Sequence, residues 1–203
     1  MNNINLKELW APIANGEIRI EDWWKQNESS ILSIKSVNTD EEVIIWSASY
    51  YRYGMYLHND GYSQQSLVYV NKAIEILENN KGKLYEKLYK DSLETMLEAK
   101  AGILHRLEKY WEAYKIMCTL CSMKPGKDDY RLGRKNLLGS CIAKVINPIY
   151  IVLAIIFALM LCEQYLTHTH FIPSIVWTIT WAIWILLLVV QFVVPALINK
   201  IQK

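Results

Sequence analysis

Two apolar runs toward the C-terminal end constrain this 203-residue chain more than any other feature. They are Pro148–Cys162 and Phe171–Ile198, separated by the polar Glu163–His170, and no Lys or Arg lies between Lys144 and Lys200. A helix that crosses a bilayer needs about 20 mostly apolar residues, because the hydrocarbon core is about 30 Å thick and each residue rises about 1.5 Å. The second run meets that length outright. The first meets it once Asn147 and Glu163–Leu166 are counted as interfacial ends. The alternative is a buried hairpin inside a soluble bundle, but so long an uncharged pair would leave that bundle little surface to face water. The pattern therefore predicts a two-helix transmembrane hairpin, with a first span over 147–166, a loop over 167–173, a second span over 174–198 and a tail over 199–203.

The flanking charges orient it. Lys124, Lys127, Arg131, Arg134, Lys135 and Lys144 precede the first run against only Asp128 and Asp129, and Lys200 and Lys203 follow the second. Positive charge stays on the cytoplasmic side. Both ends are thus expected in the cytoplasm and the short loop outside, as a two-pass protein of an inner membrane. The 126–146 segment reads as a basic juxtamembrane strip, with Lys127, Arg131, Arg134, Lys135 and Lys144 offered to anionic lipid headgroups at roughly 1 kcal/mol per charge near the surface.

Residues 1–123 carry 14 basic and 17 acidic side chains, so the overall charge of +2 arises beyond them, where eight basic side chains stand against three acidic ones. An acidic front argues against nucleic-acid binding, which needs a basic face. Met1–Trp10 shows no basic segment followed by an apolar one, so no secretory signal is expected and targeting falls to the hairpin. Cys118, Cys121, Cys141 and Cys162 are expected to be reduced thiols on that topology.

The remainder reads as all-helical, since no alternating stretch of strand length occurs. Residues 1–38 form an N-terminal helical cap in which Trp10, Trp23 and Trp24 pack onto later helices. Thr39 with Glu42 spells a capping box, starting a helix over Asp40–Leu57. Asn59–Gly61 ends it, and further helices are expected over Ser63–Leu77, Leu84–Leu107 and Tyr110–Cys121. Asp128–Leu138 reads as a separate short helix, and Asn147–Pro148 as the start of the first span, because proline suits a first helical position.

Small residues recur where these helices would cross: Gly54, Ser66 and Ala73, then Ala101 and Ala113. With Tyr50, Tyr53, Leu57, Gly61 and Val70 in one unit, and Leu97, Leu104, Tyr110, Met117, Leu120 and Pro125 in the other, residues 39–125 resemble tetratricopeptide repeats. Gly54 and Ala101 stand 47 residues apart, a longer interval than the 34-residue repeat, and no third unit is evident. The resemblance implies a TPR-like helical-hairpin domain whose first helices line a groove for a partner's peptide or helix. Carried over by position, that face shows Tyr51, Met55, His58 and Asn59 from one unit, and Thr95, Glu98, His105 and Arg106 from the other. The competing reading is an ordinary solvated helix face.

Little else suggests chemistry. Cys118 and Cys121 have CxxC spacing but fall near a helix end, whereas an activated thiol belongs at a helix start. Glu163, His168 and His170 sit in a short turn without a fixed scaffold for a metal. With no phosphate loop or nucleophile elbow, no cofactor, no metal and no enzymatic activity are expected. Within the spans, Ala154 and Ala158 form a small-xxx-small pair, Trp177, Trp181 and Trp184 recur on one face, and Gln191 seeks a polar partner. These favour self-association of the hairpin. By architecture the chain is similar to two-span effectors of bacterial anti-phage systems, so an abortive-infection effector with an unknown cytoplasmic partner is expected. A membrane-tethered adaptor, or an immunity protein against a membrane-targeting toxin, are the alternatives.

Overall fold

The computed structural model describes residues 5–162 and 174–201, and these form eight α-helices with no strand among them. The chain divides into two compact units, Met1–Lys127 and Asp128–Lys203.

The first unit opens with α1 (Leu6–Ala14) and α2 (Ile20–Leu32). The Trp23 indole N–H donates to the Leu9 carbonyl at 2.7 Å, tying the two helices together. Trp24, 1% exposed, stacks on Tyr53 at 4.6 Å and meets Tyr50 and Tyr69 edge-on at 5.2 and 5.4 Å. The tryptophans of the cap are therefore packing residues. The Tyr56 hydroxyl is pushed up to about 12 by burial and then by its hydrogen bond with the Glu21 carboxylate, a second link from α2 to α3.

Helix α3 (Asp40–Asn59) begins at the capping box. The Glu42 N–H donates to Thr39 Oγ1 at 3.2 Å, and the Thr39 and Asn38 N–H groups donate to Glu42 Oε2 at 3.1 and 2.9 Å. Gly61, with φ +93°, turns the chain into α4 (Ser63–Asn79), a conformation that side chains other than glycine rarely accept. Gly54 lies where α3 and α4 cross: a Cβ there would stand 3.0 Å from Val70 Cγ2 and 3.2 Å from the Ser66 carbonyl. Ser66, Ala73, Ala101 and Ala113 are all buried, as close helix approach requires.

Helix α5 (Glu86–Arg106) starts two residues later than expected. A short 3₁₀ turn, Lys81–Lys83, precedes it, and the Lys83 ammonium donates to the Val37 carbonyl at 2.6 Å. That tie leaves Leu84 extended and buried, so the helix forms only beyond it. Helix α6 (Tyr110–Met123) closes the unit. Successive helices α3, α4, α5 and α6 pack in sequence, and α3 also touches α5.

The second unit holds α7 (Asp128–Cys162) and α8 (Ser174–Ile201). The expected break before Pro148 does not occur, and Asp128–Leu138 is not a helix of its own. Residues 128–162 form one helix with Pro148 inside. Proline has no N–H to offer the carbonyl four residues back, but breaking the helix there would unpair several carbonyls rather than one. Tyr150 meets Trp184 at 5.1 Å, Phe157 meets Trp181 at 6.0 Å, and Thr180 Oγ1 lies 4.0 Å from Met160 Sδ. Partner numbers fall along α8 as they rise along α7, so the two helices run antiparallel. Among the described residues, α7 is the one helix long and apolar enough to cross a membrane, with a window of mean hydropathy 2.6.

Candidate functional site

The side chains expected to line a groove come from α3 and α5. Tyr51, Met55 and His58 are half-buried, while Asn59, Thr95, Glu98, His105 and Arg106 are exposed. One pair is hydrogen-bonded across α3 and α5, and a second interacts electrostatically. The Arg106 Nη1 donates to the His58 carbonyl at 3.1 Å, and His58 Nδ1 lies 3.1 Å from Ser63 Oγ at the start of α4. Burial lowers the His58 pKa, and the Arg106 charge adds to the effect. Tyr51 is the second link: burial raises its phenol pKa, and the Glu98 carboxylate raises it further. Thr95 and His105 are engaged otherwise. The Thr95 hydroxyl donates back to the Asp91 carbonyl at 3.0 Å, and the His105 ring lies 5.4 Å from that of Tyr110. The resulting patch has a phenol and a carboxylate toward one end, and an imidazole and a guanidinium toward the other. Such a patch can hydrogen-bond and ion-pair with a peptide.

Glu94 escaped the sequence reading. It is 7% exposed, and its carboxylate is bound by the Lys124 ammonium and lies 3.5 Å from Lys127 Nζ. Lys127 also approaches Glu98 at 3.6 Å, and Lys124 approaches Asp91 at 3.8 Å. Lys127, expected at lipid headgroups, is therefore engaged by α5. The hydrogen bond to Glu94 raises the Lys124 pKa. A cleft of about 550 Å³ runs beside these groups, lined by Glu86, Lys90, Asp91, Glu94 and Lys124 among others. A signal was present: Glu94 stands seven residues before the buried Ala101, within the apolar stripe of α5, where an isolated carboxylate demands a cation.

In the second unit Arg131, Lys135 and Lys144 are exposed and Arg134 is half-buried, with Arg131 3.8 Å from Asp128 on its own helix. Ala154 and Ala158 are exposed on α7. Trp184 is half-buried against Tyr150, whereas Trp181 is 56% exposed beside Phe157. The side chains of Trp177 and Gln191, and the residues Glu163, His168 and His170, lie outside the described residues. Cys118 and Cys121 are half-buried in the C-terminal half of α6. In comparisons with known proteins, no family model, no curated protein and no solved structure matches this chain.

Proposed function

We propose that this chain is a membrane-anchored docking protein without enzymatic activity. In this reading, α7 from about residue 147 and α8 form a transmembrane hairpin with both ends in the cytoplasm, as part of an inner membrane. The first unit is a tetratricopeptide-like domain that recruits a cytoplasmic protein through Tyr51, His58, Glu98 and Arg106. One observation carries the reading: from Ile149 to Cys162 in α7, and among the described side chains of α8, most apolar groups are exposed. Ile151 is 62% exposed and Leu159 65%, and Val152, Ile155, Ile156, Ile185, Leu186 and Phe192 are exposed with them. The core helix of a soluble protein would bury these groups. Left in water they forgo roughly 25 cal/mol for each Å² of apolar surface, and lipid removes that cost.

The tight α3–α4 crossing at Gly54 and the burial of Ser66, Ala73, Ala101 and Ala113 support the repeat-like packing. The outward position of Ala154 and Ala158 on α7 supports association between copies through the hairpin. That combination suits an effector of an anti-phage system, in which an activated cytoplasmic part lets the spans assemble and depolarise the membrane. Controlled expression in bacteria tests it. Membrane potential should collapse, and deletion of Pro148–Lys203 should abolish the toxicity. Harmless expression with the potential intact would turn the reading to a tethered adaptor, and rescue from a co-expressed membrane toxin would turn it to immunity. Recovery of the full chain from the soluble lysate, monodisperse without detergent, would overturn the membrane reading itself.

A further inference from the structure

The link that leaves the first unit is clasped in a way the docking face does not require. Lys124 and Lys127 stand on either side of Pro125–Gly126, immediately before Asp128, the first residue of α7. The Lys127 N–H donates to the Lys124 carbonyl at 3.2 Å, and the Lys124 N–H donates to the Leu120 carbonyl at 2.9 Å. Both ammonium groups converge on Glu94 of α5. Asp91, Glu94 and Glu98 follow one another at three- and four-residue spacing, so they lie along one face of α5. Their strengths differ. Exposed pairs such as Lys124–Asp91 contribute little, because water screens them. Glu94 is 7% exposed, and a carboxylate so far out of water is strongly disfavoured without a cation. The buried carboxylate is the fixed point, and the two lysines are the movable parts.

We propose that Glu94, Lys124 and Lys127 form an ion-pair latch that pins residues 124–127, the link from which α7 departs. Glu98 joins the latch to the docking face. It lies 3.6 Å from Lys127 and also acts electrostatically on Tyr51. An occupant of the docking face that draws on Glu98 weakens the hold on Lys127, and this second half rests on the docking reading above. The latch is thereby a release device, set by the charge state of one face of α5.

Hydrogen exchange on the full chain in detergent micelles tests it, read at the Lys124 and Lys127 amides. Glu94→Gln and the double variant Lys124→Gln/Lys127→Gln should each speed exchange at both amides by on the order of tenfold, leaving α3 and α4 protected. Glu98→Gln should loosen Lys127 and leave Lys124 unchanged. Unchanged exchange at both amides in the lysine double variant, whose side chains are exposed enough to be replaced without unfolding, would overturn the latch. So would loss of protection spread over α3–α6 in that variant, since the ion pairs would then hold the whole unit rather than the link. If Glu98→Gln left Lys127 as protected as in the unaltered chain, the connection to the docking face would fall while the latch stood. Failure of partner recruitment or of membrane depolarisation would not change these exchange rates, so the two readings fail separately.

Discussion

A methyl group placed on Gly54 would stand 3.0 Å from Cγ2 of Val70, because α3 and α4 cross closely there. The second neighbour is the Ser66 carbonyl at 3.2 Å, which cannot swing aside as a side chain would. Gly54→Ala gains about 1 kcal/mol of helix propensity, but overpacking typically costs about 1–3 kcal/mol, so the variant should be less stable. Gly102 on α5 has open space around it. Gly102→Ala should therefore stabilise by roughly 0.5–1 kcal/mol on propensity alone. Denaturant midpoints of the two variants check the pair. Equal shifts in one direction would refute the close crossing.

The capping box makes a pH-dependent prediction. The backbone N–H groups of Asn38 and Thr39 hold the Glu42 carboxyl below its ordinary value of 4.5. A carboxylate with a lowered native pKa contributes stability above the unfolded value, and that contribution is lost as pH falls through the native value. Stability should therefore drop as the solution is acidified from about pH 4.5, and Glu42→Gln should flatten that part of the curve. Thr39→Ala should cost about 1 kcal/mol at neutral pH. Both are read by helical circular dichroism against denaturant.

His58 and Arg106 give a prediction for the docking face. Burial lowers the imidazole pKa below 6.5, and Arg106 lowers it further. Because the native state binds protons less readily than the unfolded one, stability should fall as pH drops below about 6.5. Arg106→Ala should bring the His58 titration closer to 6.5, as followed by imidazole resonances. Replacing Tyr51, His58 and Arg106 together by Ala should weaken partner recruitment with helicity retained. Retained pull-down of every cytoplasmic partner would exclude this face.

The two described tryptophans of α8 should behave differently in lipid. Trp181 is 56% exposed, whereas Trp184 is half-buried against Tyr150. With brominated acyl chains as quencher, Trp181→Phe should remove more of the quenchable emission than Trp184→Phe. The reverse order would mean that α8 is rotated about its axis relative to α7.

Much of the helical layout was legible because helix ends are local events. Thr39 and Glu42 satisfy each other's backbone neighbours over three residues, and Gly61 supplies the positive φ in the turn that separates α3 from α4. Where a long-range tie intervened, local reading failed. Lys83 reaches back to Val37, 46 residues away, and delays α5. Proline so often stands at a helix start that Pro148 suggests one, yet the helix continues through it. The candidate face was legible in part. Tyr51, His58, Glu98 and Arg106 are coupled across α3 and α5, but Thr95 and His105 are occupied by Asp91 and Tyr110.

The order of residues alone determined that the chain is helical, where most helices begin and end, and that the last third is too apolar and too free of charge to be ordinary surface. Those properties follow from periodicity, capping and composition, which act over a few neighbouring residues. Tertiary packing decided that Glu94 sits out of water beneath two lysines, that Arg106 caps the His58 carbonyl, and that Ala154 and Ala158 face away while Trp184 meets Tyr150. Each depends on groups between 30 and 48 residues apart meeting at a fixed rotation of one helix against another, or on which side of a helix its neighbour covers. A few degrees of that rotation change which side chains touch while leaving the local pattern of the sequence unaltered.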